Sequence, residues 1–325
     1  MGAVSRLTND AVRLVPRTGG VGPALRFDFP GLRVGVAEYD EGPTGCTVFH
    51  FPAGAACSVD VRGGSPGMLG PYEFVHAICL AGGSLYGLEA ATGVAAELFA
   101  QRGYATGWTD IPVVAGAIVF DWGPRETAIY PDKELGRAAL RAARAGVFPV
   151  GRRGAGRSAT VGKGIGFDQF EYAGQGAAFR EFGPTKVAVF TVVNAVGAIL
   201  DREGRVVRGN RDPRTGERHD YLIALERRLA EGKRPEPARE NTTLTVVVTN
   251  QTLAERELRQ LARLVHASMT RAIRPFHAFH DGDILYAVST GGVEEGELDV
   301  TALGVLTSEL AWDAVLAAGG DADAR

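Results

Sequence analysis

Apolar and polar positions along this chain fall into short blocks of two kinds. In the first fifty residues they alternate over 25–29, 32–39 and 47–51, with Pro30-Gly31 and Gly42-Pro43 between, which predicts short strands joined by turns. From 74 to 102 the repeat turns helical, with Ala77, Leu80, Leu88 and Ala91 on one face, and predicts a glycine-rich helix that packs close to its neighbours. A strand is expected over 111–120 and an amphipathic helix over 133–145. A hairpin-like pair follows at 186–193 and 196–200, then a helix over 222–231. Beyond 240 come a strong strand over 241–249, a helix over 253–273, a strand over 284–289 and a helix over 301–318. Strands at both ends with helices between suggest a layered α/β or α+β fold, and no internal repeat is present.

Composition narrows this picture. At 325 residues, 45% hydrophobic and 22% charged, the chain has the balance of a globular protein with a sizeable core. A formal net charge of −3 gives no polycationic footprint, so no nucleic-acid partner is expected. The apolar stretch 74–100 holds His76, Glu89, Glu97 and several glycines, which fits a buried element and not a membrane span. Residues 1–16 show no apolar signal region, so a cytoplasmic location is expected. Cys46, Cys57 and Cys79 are odd in number and lack CxxC spacing, which argues against a disulfide framework or structural zinc.

Several familiar motifs fail on spacing. Gly162-Lys163 sits in a glycine-rich segment, yet five residues separate Gly156 from Gly162, and Gly164 stands where a P-loop needs Ser or Thr. Ser84 is followed by two residues before Gly87, so there is no nucleophile elbow. His277 and His280, bracketed by Pro275 and Gly282, read as a turn with solvated or hydrogen-bonded rings and not as a metal site. His76 and His266 read as core histidines in apolar helices.

The informative junction lies between 231 and 249. Residues 231–240 (EGKRPEPARE) are charged, carry Pro235 and Pro237, and offer no apolar anchor, which predicts an exposed connection. The strand that follows opens on Asn241-Thr242. One reading is that the pair marks a strand start, since Asn suits turns and Thr suits strands. The other is that Thr242 becomes a chain terminus. A threonine hydroxyl is a weak nucleophile until a base takes its proton, and a free α-amine on the same residue, with a reference pKa of about 7.7–8.0, can be that base. Thr242 would first attack the carbonyl of Asn241, and water would resolve the resulting ester, separating 1–241 from 242–325.

Three features gain meaning beside that junction. Lys163 is one of only four lysines and is flanked by glycines. Its ammonium either holds a carboxylate or the threonine oxygen, or is an ordinary surface charge. Asn194 lies between apolar runs and either donates to an oxyanion or caps a turn. Asp281 and Asp283, two apart, either converge on one site, where joint ionisation is opposed, or form a turn or cation site.

At these residues the sequence resembles the DmpA-type self-processing aminopeptidases and amidohydrolases, and within them the nylon oligomer hydrolases (6-aminohexanoate oligomer endohydrolases). The strings that carry the resemblance are RFDFPG at 26–31, EGPTG at 41–45, HAICLAGG at 76–83, YGLEA at 86–90, YPDK and LGRAAL within 130–140, and GQGAAFR at 174–180. They continue with VVRGN at 206–210, NTT and VTN within 241–250, PFH and DGD within 275–283, and TALG and WDAVL within 301–316. They run in order over nearly the whole chain.

The resemblance implies a four-layer α/β/β/α sandwich in one domain, 1–325, self-cleaved between Asn241 and Thr242 into 1–241 and 242–325. It implies Thr242 as nucleophile, Lys163 as the active-site lysine, Asn194 as the amide that steadies the oxyanion, and Asp281 with Asp283 as the carboxylate pair that orients the nucleophile. Threonine and two aspartates favour the nylon hydrolase branch over the aminopeptidase and esterase branch, which carries serines and a Ser/Glu pair. The implied enzyme hydrolyses amide bonds in 6-aminohexanoate oligomers, needs no cofactor or metal, and assembles as a homotetramer of cleaved heterodimers. A β- or D-amino-acid aminopeptidase or esterase of the same fold, an acetyl-transferring relative, and an unprocessed assembly protein are the alternatives. One position departs from the pattern: the family's tyrosine, whose hydroxyl reaches the substrate or the oxyanion, aligns with Phe120, which has no donor to give.

Overall fold

The computed structural model describes residues 6–20, 22–234, 241–294 and 298–320. Among them a nine-stranded sheet folds back on itself. Its path runs Gln175–Phe182, Thr185–Asn194, Thr242–Gln251, Ile284–Val293, Thr44–Val61, Phe74–Ala81, Val114–Ile118 and Met68–Leu69, while Arg33–Tyr39 also pairs with the long strand Thr44–Val61.

That long strand joins the two layers. Its first half pairs with Arg33–Tyr39 and Phe74–Ala81, and its second half, from Ala56 to Val61, pairs antiparallel with Ile284–Val293. The register shifts between His50 and Ala55, and Gly54 adopts φ 75°, so the strand can bend from one layer into the other.

Helices α1 (Leu88–Gln101), α2 (Lys133–Arg141), α4 (Glu255–Ser268) and α5 (Val300–Gly319) cover the outer faces, and α3 (Tyr221–Ala230), with only Ala224 buried, adds nothing to the core clusters. Side-chain caps fix several starts; Asp132 accepts the Leu135 N–H at 3.0 Å, and Asp299 accepts that of Ala302 at 2.7 Å. Three apolar clusters mark the three contacts of a four-layer stack. Phe49, Ile78, Phe148, Phe190, Val246 and Tyr286 fill the space between the sheets. Val189, Val247, Leu285, Leu261, Val265 and Leu310 join one sheet to α4 and α5. Val48, Cys79, Val94, Leu98, Leu135 and Ala139 join the other to α1 and α2. The fold is the α/β/β/α sandwich that the family resemblance implied.

Some elements differ from the pattern-based expectation. Residues 74–81 are a strand, and the helix begins only at Leu88, after a short 3-10 turn. Both faces of this strand are covered, Ile78 and Leu80 by the inter-sheet core and Ala77 and Cys79 by the α1/α2 side, so no polar alternation survives to reveal it. His76 therefore sits on a strand, where its Nδ1 accepts the Val113 N–H at 3.0 Å. The stretches 186–193 and 196–200 do not form a hairpin. Thr185–Asn194 lies between Gln175–Phe182 and Thr242–Gln251, whereas Ala198–Leu200 joins a small separate sheet with Val206–Arg208 and Ile273–Arg274. Gln175–Phe182 had no expected counterpart. Its Gly176 lets α5 approach, since a Cβ there would stand 2.1 Å from the Ala314 carbonyl oxygen. Of the expected charged connection, 235–240 lies outside the described residues, and 231–234 is exposed.

Candidate active site

Strand pairing brings the chemistry together. In the antiparallel ladder Thr242 stands directly opposite Asn194, at the point where both strands end. Leu244, Val246 and Val248 face the inter-sheet core, and period two puts Thr242 on that same face. The threonine is buried at 3% exposure, and its Oγ1 donates to the carbonyl oxygen of Asn241, the group it would have to attack.

Asn194 is held by its partners. Its Oδ1 accepts the Thr160 N–H at 2.9 Å and lies 3.2 Å from Lys163 Nζ, so the Nδ2 end is assigned to the side of Phe120, whose carbonyl accepts it at 2.8 Å. An amide NH₂ carries two donors, so one remains for a developing oxyanion. Phe120 thus contributes its main chain to the site, and its ring supplies no donor.

Lys163 is a buried ammonium, not a surface charge: it is 2% exposed, with Nζ also 3.3 Å from the Asn194 carbonyl oxygen. The flanking glycine explains its depth. Gly162 adopts φ 74° and packs so tightly that a Cβ would stand 2.0 Å from the Asn210 nitrogen, while Lys163 N–H bonds to the Val196 carbonyl at 2.9 Å.

Asp281 and Asp283 are both fully buried. Asp283 grips the chain just past the nucleophile, accepting Thr243 N–H at 2.7 Å on one oxygen, and His277 N–H at 3.0 Å and His277 Nδ1 at 3.1 Å on the other. Asp281 accepts Ala278 N–H at 2.9 Å and Val196 N–H at 3.3 Å. Burial first, and the neighbouring Asp283 charge second, push the Asp281 carboxyl up from 3.8 to about 7, with Lys163 opposing. One carboxyl of the pair therefore holds a proton near neutrality, as two like charges in close quarters require.

Every residue the sequence singled out for chemistry meets here: Asn241, Thr242, Lys163, Asn194, Asp281 and Asp283, with the Phe120 carbonyl at the edge. His277 reads from the sequence as a turn histidine with a solvated or hydrogen-bonded ring, with nothing to tie it to the site. It does lie in a turn, at φ 58°, but its ring locks Asp283. His266 packs edge-on against it at 4.5 Å and bonds to Asp60 at 2.9 Å. No familiar motif marks these contacts: Asp283 lies six residues on from His277, across a turn, and Asp60 lies on a distant strand. Among the described residues, no group of three or more His, Cys, Asp or Glu side chains is placed to hold a metal ion.

A buried threonine opens a strand of the α/β/β/α sandwich here, opposite Asn194 and near a buried lysine and a carboxylate pair, and the sandwich itself is the fold of the N-terminal-nucleophile hydrolases. The L-aminopeptidase D-Ala-esterase/amidase of Ochrobactrum anthropi, described as a variant of that fold, superposes with a TM-score of 0.63 at 15% identity, covering 94% of this chain and 88% of its own. The chain matches peptidase family S58 over residues 27–324 and belongs to it; it is a hydrolase of amide bonds. It is 49% identical over 321 residues to the 6-aminohexanoate-oligomer endohydrolase of Agromyces sp. (strain KY5R), covering 96% of this chain and 90% of that one. The enzyme of the same name from Paenarthrobacter ureafaciens matches with the same identity and coverage. The family drawn from the motifs is thereby borne out.

Proposed function

We propose that the chain is an N-terminal-threonine amidohydrolase that cuts itself between Asn241 and Thr242 and then hydrolyses amide bonds in oligomers of 6-aminohexanoate. The observation that carries this reading is the Asn241–Thr242 junction itself, a buried peptide link whose carbonyl oxygen already receives the downstream hydroxyl. In the maturation step Thr242 Oγ bonds to the Asn241 carbonyl carbon, the C–N bond breaks, and the proton passes to the departing nitrogen. Water then cleaves the ester.

The freed α-amine becomes the base for Oγ in each later turnover. In this reading Lys163, which holds the Asn194 amide oxygen, and the second N–H of Asn194 serve the oxyanion, and Asp283 fixes the strand start through Thr243. The two pieces stay together because Thr242–Gln251 pairs with Thr185–Asn194 of the first piece, and Ile284–Val293 pairs with Thr44–Val61. Assembly as a homotetramer of these heterodimers and a cytoplasmic location belong to the same reading. The substrate rests on the kinship to the two endohydrolases.

The test is product analysis. Incubated with linear 6-aminohexanoate oligomers blocked at the amino end, the enzyme is expected to release internal fragments. Activity confined to short substrates with a free amino terminus would replace this reading with the aminopeptidase one.

A further inference from the structure

The scissile residue is gripped from the opposite strand as well as attacked by its own neighbour. The Asn241 N–H bonds to the His280 carbonyl at 3.3 Å, and the Gly282 N–H donates to the Asn241 carbonyl oxygen at 2.9 Å. Thr242 Oγ1 meets that same oxygen. Meanwhile the Asn194 Nδ2 is directed at the Phe120 carbonyl.

Glycine at 282 is demanded by space and not by backbone conformation, since its φ lies outside the left-handed region. A Cβ there would stand 2.7 Å from Thr242 Oγ1 and 2.7 Å from the Ser65 carbonyl oxygen. Any other residue would crowd the attacking hydroxyl.

We propose that the main-chain N–H of Gly282 is a catalytic donor for self-cleavage, binding the oxyanion that forms on the Asn241 carbonyl, and that Gly282 lacks a side chain so that Thr242 Oγ can reach its target. The proposal rests on the self-cleavage described above. As Oγ adds to the carbonyl carbon, the π pair moves onto the oxygen that Gly282 N–H already faces. A neutral hydrogen bond then becomes a charge-assisted one, stronger in the transition state than before it. When the tetrahedral centre collapses, the C–N bond breaks, the hydroxyl proton ends on nitrogen, and the ester is left for water.

The same bond also extends the parallel pairing of Thr242–Gln251 with Ile284–Val293. A pairing role alone affects stability; a donor role affects rate. Replacing Gly282 with glycolic acid through a suppressor tRNA exchanges the N–H for an ester oxygen, and the matching hydroxy acid at Leu285 removes an N–H of the same pairing that does not touch the Asn241 carbonyl. Fragment formation is followed on the folded fraction, with thermal midpoints recorded in parallel.

The account expects the Gly282 ester to slow cleavage by about 10²-fold, the loss typical of one oxyanion donor, and the Leu285 ester to change it by less than about threefold. Gly282→Ala, which keeps the N–H but fills the space, is expected to slow cleavage about tenfold or more, from the misplacement of reacting atoms. Equal rates for the two esters overturn the donor role. Should the Gly282 ester not fold, Gly282→Ala cleaving at the unsubstituted rate overturns the proposal. An unsubstituted chain that never cleaves would instead remove the self-cleavage on which the proposal stands.

Discussion

The strand Thr242–Gln251 is polar and buried at both ends, yet the two ends are built for different purposes. At the far end Gln251 donates to the Leu298 carbonyl at 2.6 Å, its Oε1 accepts from Thr185 at 3.3 Å, and its main-chain oxygen accepts from Ser289 at 2.7 Å. Every group there is neutral and donors match acceptors, so the network closes one end of the sandwich. At the near end, Lys163, Asp281 and Asp283 bury ionisable groups around a hydroxyl pressed against its own preceding carbonyl. Buried charge is expensive to hold, and a carboxyl pushed to about 7 is the mark of that expense. The contrast teaches that burial of polar groups does not itself signal chemistry; unequal and shifted charges around a reactive bond do.

The largest expected effect separates the two ends by rate. Lys163→Met removes the ammonium that faces Asn194 and opposes the Asp281 shift, and should slow both self-cleavage and oligomer hydrolysis by about 10²-fold or more. Fragment formation and initial rates measure this, and a change of less than about threefold would strip Lys163 of its role.

Gln251→Ala sharpens the contrast from the other side. It leaves the Leu298 carbonyl and the Thr185 hydroxyl short of a partner and should cost about 1–3 kcal/mol in denaturant unfolding. Its turnover at a temperature where it stays folded should remain within about twofold.

Asp281 gives the smallest effect and the most specific one. Its carboxyl is raised in the folded state, so between pH 3.8 and about 7 the native chain binds a proton that the unfolded chain has lost. The stability it contributes is fully present below the lower value and disappears as pH rises through the upper one. Asp281→Asn, which cannot ionise, should flatten the pH dependence of the thermal midpoint across that window. An unchanged slope would show that Asp281 is not the proton carrier of the pair.

How much of this was legible in the sequence varies by element. The run Thr243 to Val248 announces a strand by its β-branched residues, and the charged, proline-bearing stretch before it draws the eye to Thr242. Asp281 and Asp283 stand out by their spacing, and Lys163 by the rarity of lysine. The strand Phe74–Ala81 was hidden because both its faces are apolar, which erases the period-two signal. Asn194 read as part of a hairpin because its real partner, Thr242, lies 48 residues downstream. His277 and Gly282 were opaque for other reasons. The first acts through a carboxylate across a turn, and the second through a backbone N–H that carries no letter in the sequence.

The whole mechanism turns on Thr242 severing the peptide link before it. Intact-mass measurement of the purified chain beside its Thr242→Ala variant tests this most directly. Two species of about 25 and 9 kDa are expected for the unsubstituted chain, in proportion to 241 and 84 of its 325 residues at 34.3 kDa, and one undivided, inactive species for the variant. An undivided unsubstituted chain that still hydrolyses oligomers, or a variant that still divides, would contradict it.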